Sequence, residues 1–166
     1  MKLREVNRAL LVAAVLSAAD GGQDFRHELA WVVPPGWIPI ENRGQHLGAG
    51  DPHDPFATVT VIHIPASAGR PMDVDFLRKA LERFPSSKRP IVGAMLGTCS
   101  DGRLRFACEE VQIRDSSRLE VAYAWVDERR GSGFSARYTV PAGREEELLP
   151  LVRRVVGWKA TKVIEQ

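Results

Sequence analysis

The stretch LEVAYAWVDERRGSGFSARYTV, residues 119–140, decides the fold. Leu119, Val121, Tyr123 and Trp125 alternate with Glu120, Ala122 and Ala124, the period of a strand that buries one face. Arg129-Arg130-Gly131-Ser132-Gly133 interrupts the pattern with turn residues. Phe134, Ala136, Tyr138 and Val140 then restore it, and two alternating runs around one turn predict an antiparallel hairpin.

Upstream, Leu104, Phe106 and Cys108 share one parity while Val111 and Ile113 take the other. A phase change at Glu109-Glu110 predicts a β-bulge, because one extra residue reverses which parity faces inward. Residues 91–99 (IVGAMLGTC) are apolar but hold two glycines, and fit either a short strand or packed coil. Residues 56–64 (FATVTVIHI) read as a strand between prolines. Phe25, His27, Leu29, Trp31 and Val33 alternate as another strand, stopped by Pro34-Pro35-Gly36 and resumed over 37–41. Residues 42–55 (NRGQHLGAGDPHDP) read as a long loop.

Two segments change to helical period. Phe76, Leu77, Ala80, Leu81 and Phe84 share one face after Asp73, a candidate N-cap, and Pro85 closes the segment. Leu148, Leu151, Val152 and Val155 form the second apolar face, with Glu145 to Glu147 at its start and Arg153-Arg154 near its end, the order that complements a helix dipole. Pro150 either starts this helix or kinks it, and Gly157 is a natural cap. The expected fold is α+β: a twisted antiparallel sheet packed with two amphipathic helices.

A chain of 166 residues with 44% apolar content supports one domain with a real core. The 23 Lys and Arg against 21 Asp and Glu leave a net charge of +2, without the concentrated surplus of a nucleic-acid binder. Arg129-Arg130 and Arg153-Arg154 read as solvated basic pairs.

The first 19 residues stand apart from the expected domain over 20–166. Lys2, Arg4 and Arg8 lead into the uncharged run Ala9–Ala19, and Ser17-Ala18-Ala19 offers a cleavage site before Asp20. The run falls short of the about 20 apolar residues that span a bilayer, so no stable membrane span is expected. It suits a signal peptide and export to the periplasm or beyond. Alternatively, residues 3–19 form a buried helix of a cytoplasmic protein, with Leu3, Val6 and Leu10 on one face.

WVVPPGW over 31–37, FATVTVIHI, the helical MDVDFLRKALERF and the ending YTVPAGREEELLPLVRRVV together make the chain similar to the PsbP/DcrB-like superfamily over residues 24–158. That resemblance implies an antiparallel α+β fold and an accessory or protein-binding role. It supplies no shared catalytic residue and no cofactor.

The residues themselves offer a few candidate sites. His46, Asp51, His53 and Asp54 bring imidazole and carboxylate into one segment, suited to a divalent metal but matching no signature spacing, so no metal is assigned. Trp37, beside the long loop, is the candidate exposed anchor for a partner protein, with His46, Asp51, His53, Arg129 and Arg130 as further contacts. Cys99 and Cys108 are the two cysteines. A two-residue turn at Asp101-Gly102 would set Cys99 opposite Leu104 and forbid a bridge, since Cα atoms beyond about 7 Å cannot be joined. A wider loop would allow one, and both states stay open. Cys with His63 or His27 could form a nucleophile pair, but no Gly-x-Ser-x-Gly, phosphate loop or His-Glu-x-x-His accompanies them.

The expected function is therefore an exported accessory domain that binds a protein and is not an enzyme. The alternatives are a cytoplasmic chaperone-like domain gripping a hydrophobic client segment, and a small metal-dependent hydrolase.

Overall fold

The protein is described here as a computed structural model covering residues 31–43, 46–64, 90–127 and 132–163. In chain order the elements are β1 (Ile38–Arg43), β2 (His46–Asp51), β3 (Asp54–Ile64), β4 (Ile91–Ser100), β5 (Arg105–Arg114), β6 (Arg118–Asp127), β7 (Ser132–Pro141), α1 (Glu145–Val155) and β8 (Lys159–Val163). The strands make one sheet in the order β1-β2-β3-β7-β6-β5-β4-β8. Every pairing in it is antiparallel.

The expectation of a sheet packed with two helices is corrected by this arrangement. Among the described residues the architecture is a single large sheet of eight strands with one full helix, α1, besides the helical pair Trp31-Val32. The helix expected over 73–84 lies outside the described residues.

The β6–β7 pairing carries the alternation into three dimensions. Leu119, Val121, Tyr123 and Trp125 on β6 face the same way as Phe134, Ala136, Tyr138 and Val140 on β7, and all eight are buried in the main core. Leu148, Val152 and Val156 from α1 and its cap join this core, and burying a side chain of this size stabilises by roughly 1.5–3 kcal/mol. Trp37 enters it as well, 7% exposed.

The expected bulge at Glu109-Glu110 is not formed. Register between β5 and β6 runs unbroken from Cys108↔Trp125 to Arg114↔Leu119. The parity of apolar residues changes because both faces of the sheet are buried there. Val111 and Ile113 join Ala122 and Ala124 in a second cluster on the opposite face from Tyr123.

Two more expectations are corrected near the first edge. Trp31 and Val32 are helical, not extended. Three consecutive apolar residues, Trp31 to Val33, break the parity a one-faced strand needs, and Val32 is fully buried beside a half-buried Trp31. Much of the expected loop over 42–55 is strand. Gly48 and Gly50 weaken the β signal, yet each lies opposite an isoleucine of β1: Ile40↔Gly48 and Ile38↔Gly50. A Cβ on Gly48 would stand 2.8 Å from Ile40 Cγ1, so the glycine makes room for that side chain.

Residues 91–99 lie within β4, whose Gly97 is required by close packing. A Cβ there would meet the Lys159 carbonyl and lie 2.7 Å from the Trp158 ring.

Helix α1 starts at Glu145 and runs through Pro150. The carbonyl that Pro150 leaves without an amide donor belongs to exposed Glu146, where water can serve it. The helix ends in a Schellman turn. Gly157 N–H donates to the Arg154 carbonyl at 3.1 Å and Trp158 N–H to that of Arg153 at 2.9 Å. Gly157 supplies the required positive φ of 58°.

Candidate functional site

Two clusters of charged side chains sit at opposite ends of α1, and they differ in what they leave available. At the N-terminal end Arg144 gathers three carboxylates. Its Nη1 donates to Asp51 Oδ2 at 3.0 Å and to Asp54 Oδ2 at 2.9 Å. Its Nη2 and Nε hold the two oxygens of Glu147 at 2.7 and 3.1 Å. The His53 backbone N–H, then the guanidinium, lowers the Asp51 pKa. Arg144 chiefly, with the Phe56 backbone N–H, lowers that of Asp54. This cluster ties the β2–β3 turn to the start of α1 and engages the Arg144 guanidinium fully.

The four candidate metal-ligating residues are not gathered in one place. Asp51 and Asp54 are held by a cation of the chain itself, and His53 is exposed. His46 begins β2 and pairs with Arg43 and Ile62, about 17 Å along the strand from Asp51 at the usual rise per residue. Among the described residues, no three His, Cys, Asp or Glu side chains form a metal-binding group. Arg129 and Arg130 lie outside the described residues. Trp37, expected as an exposed anchor, is a core residue because the Pro34–Trp37 turn, closed by a 3.1 Å bond from Trp37 N–H to the Pro34 carbonyl, folds its ring inward. Ile38, Ile40 and Phe56 are the described large apolar side chains of β1 to β3 that stand exposed.

At the C-terminal end of α1 an open cleft of about 460 Å³ lies between the Schellman turn and the β4–β5 loop. Trp31, Arg105, Arg153, Arg154, Trp158 and Lys159 line it, with the Ser100–Gly102 backbone. Both tryptophans are half-buried and held from below. Trp31 lies 5.0 Å from Trp125 between ring centroids, and Trp158 lies 5.6 Å from Tyr123. Trp158 can lie over β4 because Gly97 has no side chain.

The cations of the cleft are not equivalent. Arg153 is committed: its Nη2 and Nε donate to the buried Glu110 carboxylate at 2.6 and 3.0 Å. Tyr123 Oη and Gln112 Nε2 donate to the same carboxylate at 2.6 and 2.7 Å. Burial, and then the Glu110 charge, push the Tyr123 pKa well up, so the phenol stays a donor. Arg105 donates to the Thr98 hydroxyl at 2.9 Å, and among the described residues no carboxylate pairs with it. Arg154 and Lys159 are exposed, and among the described residues neither pairs with a carboxylate. Asp101, the one acid on the rim among the described residues, accepts the backbone N–H groups of Arg103 and Leu104 at 2.8 and 2.7 Å.

The wall of this cleft contains the cysteines. The β4–β5 loop is wider than two residues, with Ser100↔Arg105 its last pair. Cys99 therefore sits opposite Phe106 and Cys108 opposite Gly97, and the two bridge diagonally with Cα atoms 5.5 Å apart. Ser100 N–H donates to the Val156 carbonyl at 2.9 Å, joining the loop to the end of α1.

Sequence reasoning read Arg153-Arg154 as solvated. What it lacked was the partner of each: Arg153 turns to Glu110, 43 residues away, while Arg154 stays outward. A usable signal was present in the succession Arg153-Arg154, Gly157, Trp158, Lys159, a basic helix end turned by glycine onto an aromatic ring. Among the described residues no helix is long and apolar enough to cross a membrane.

The chain matches no protein-family model and no curated protein. Among solved structures it is similar to cyanobacterial PsbP (CyanoP) from Synechocystis sp., with a TM-score of 0.50 and 17% identity over 78% of this chain and 84% of that one. A Bacteroides thetaiotaomicron protein gives a TM-score of 0.39 and 16% identity over 78% of this chain and 43% of its own. The fold is PsbP-like.

Proposed function

We propose that this chain is an exported accessory domain that binds a protein partner and carries no catalytic chemistry of its own. The observation that carries the reading is the contrast between the two ends of α1. The Arg144 guanidinium is fully engaged by carboxylates of the chain, whereas the cleft beyond Gly157 presents two half-buried tryptophans beside cations that, among the described residues, have no carboxylate partner. Aromatic rings and arginine are the side chains that dominate protein interfaces. The PsbP-like fold supports an accessory role by analogy of architecture alone.

Export draws support from two independent features. The run Ala9–Ala19 suits a leader, and the Cys99–Cys108 bridge suits an oxidising compartment. A cytoplasmic location would return the chaperone-like alternative. The hydrolase alternative draws less support, because Asp51 and Asp54 of the polar segment on which it rests are paired with Arg144.

Affinity capture from native cell envelope tests the reading. A protein should co-elute with the wild-type chain and be lost from the doubly reversed variant Arg154→Glu/Lys159→Glu at unchanged melting temperature. Equal capture by both would remove the cleft from the function.

A further inference from the structure

The strand register sends a second group of charges to the face of the sheet opposite α1. Thr98 on β4 lies between Ala107 of β5 and Lys159 of β8, and residues paired in this way share a face. The Gly97↔Cys108 pair belongs to the other face, where Trp158 lies. Arg105 and Lys159 border the cleft, yet both side chains leave on the Thr98 face. There, two cations from strands that are not neighbours converge. Arg105 Nη1 crosses from β5 to Thr98 Oγ1 at 2.9 Å, an approach that the small Ala107 leaves open. Lys159 comes from β8 on the other side of Thr98, and Lys162 stands farther along β8, opposite Leu96. All three cations are exposed, and among the described residues none pairs with a carboxylate. Glu109, opposite Leu96 on β5, is fully buried. Like charges drawn together in this way repel, and an anion between them relieves the repulsion.

We infer that Thr98, Arg105 and Lys159 form an anion site that takes a phosphate group, with Lys162 adding charge beside it. Thr98 is its centre. The hydroxyl oxygen accepts the arginine N–H, which leaves its own O–H to donate to a ligand. Hydroxyl, guanidinium and ammonium thus approach one point from three strands. A tetrahedral phosphate has an oxygen for each of them, whereas a planar carboxylate has only two. The same group is carried by a lipid headgroup and by a free phosphomonoester, and an exposed strand face admits either. The site lies across the sheet from the Trp31 and Trp158 cleft. It is therefore a second surface, independent of the protein-binding reading above.

Amide NMR of the isotope-labelled 166-residue chain at fixed ionic strength tests the site with inorganic phosphate, glycerol 3-phosphate and acetate. Both phosphates should shift the Thr98, Arg105 and Lys159 amides saturably and leave the Trp31 indole N–H in place. Acetate should bind at least about fivefold more weakly, having fewer oxygens to offer the same donors. Arg105→Gln and, separately, the isosteric Thr98→Val should each weaken phosphate binding by about threefold to fivefold, the effect of one exposed charge-assisted bond. Melting temperatures unchanged from the wild type show that neither variant acts by unfolding. Equal affinity for acetate and phosphate, or phosphate binding untouched in both variants, would overturn the inference. Sedimentation with phosphatidylglycerol vesicles, against phosphatidylcholine ones, then separates the two sources. Co-sedimentation that Arg105→Gln abolishes assigns a lipid headgroup, and binding of glycerol 3-phosphate without co-sedimentation assigns a free phosphomonoester. Capture of the cell-envelope protein should be unchanged in Thr98→Val, which keeps failure of this site distinct from failure of the cleft.

Discussion

Glu110 on β5 holds Arg153 on α1 through two hydrogen bonds of 2.6 and 3.0 Å, with the carboxylate fully buried and the guanidinium 35% exposed. This pair fixes how α1 lies on the sheet. It also decides which of two adjacent arginines is available at the cleft, since Arg153 is drawn down and Arg154 is left outside.

Removing one partner leaves the other charge buried and unpaired. Arg153→Met should cost about 2–3 kcal/mol, below the usual range for a fully buried pair because the guanidinium is partly hydrated. The double variant Glu110→Gln/Arg153→Met keeps an acceptor for Tyr123 and should recover at least half of the loss. Urea unfolding of both single variants and the double reads the coupling, and additive effects would contradict the pair's role.

Trp37→Ala opens a cavity in the main core and should lower stability by about 3–5 kcal/mol. Thermal melting measures the loss. A melting temperature near that of the wild type would return Trp37 to the surface.

Cys99 and Cys108 close a short loop. Replacing both with alanine should cost about 2–3 kcal/mol in the chain-entropy picture and loosen the β4–β5 loop that forms one wall of the cleft. The native, unreduced chain should show no free thiol, and two reactive thiols would contradict the bridge.

Acid should unfold the protein through its paired carboxylates. Asp51, Asp54, Glu145 and Glu147 sit below their ordinary pKa values through the bonds already described and, for Glu145, the Arg114 guanidinium. Asp115 is lowered to about 2, first by the Ser117 backbone N–H and then by its hydroxyl. A lowered carboxylate stabilises the folded state fully above its ordinary pKa, 3.8 for Asp and 4.5 for Glu, and loses that contribution as pH falls through the folded value. Stability should therefore be level above pH ~5 and fall between about 4.5 and 2. Arg144→Gln should flatten that limb, and an unchanged pH profile would contradict the Arg144 cluster.

The hairpin of β6 and β7 was legible because one face of each strand is wholly apolar and the two lie adjacent. Neighbouring segments were harder for physical reasons. β5 buries both faces, so its parity mimicked a bulge. β2 carries Gly48 and Gly50, whose value lies in the room they give Ile38 and Ile40 and not in any propensity of their own. Trp31 read as a strand residue and Trp37 as an exposed anchor, yet Trp37 is core and Trp31 lines the cleft. The cleft itself joins residues 31, 105 and 154, a juxtaposition no local pattern encodes.

The central claim is that the chain meets its partner at the C-terminal end of α1. A photo-crosslinking residue placed at Arg154, and separately at the exposed Phe56 of β3, tests it in native cell envelope. One crosslinked protein band is expected from position 154 and none from position 56. A band from position 56 alone, or none from either, would contradict it.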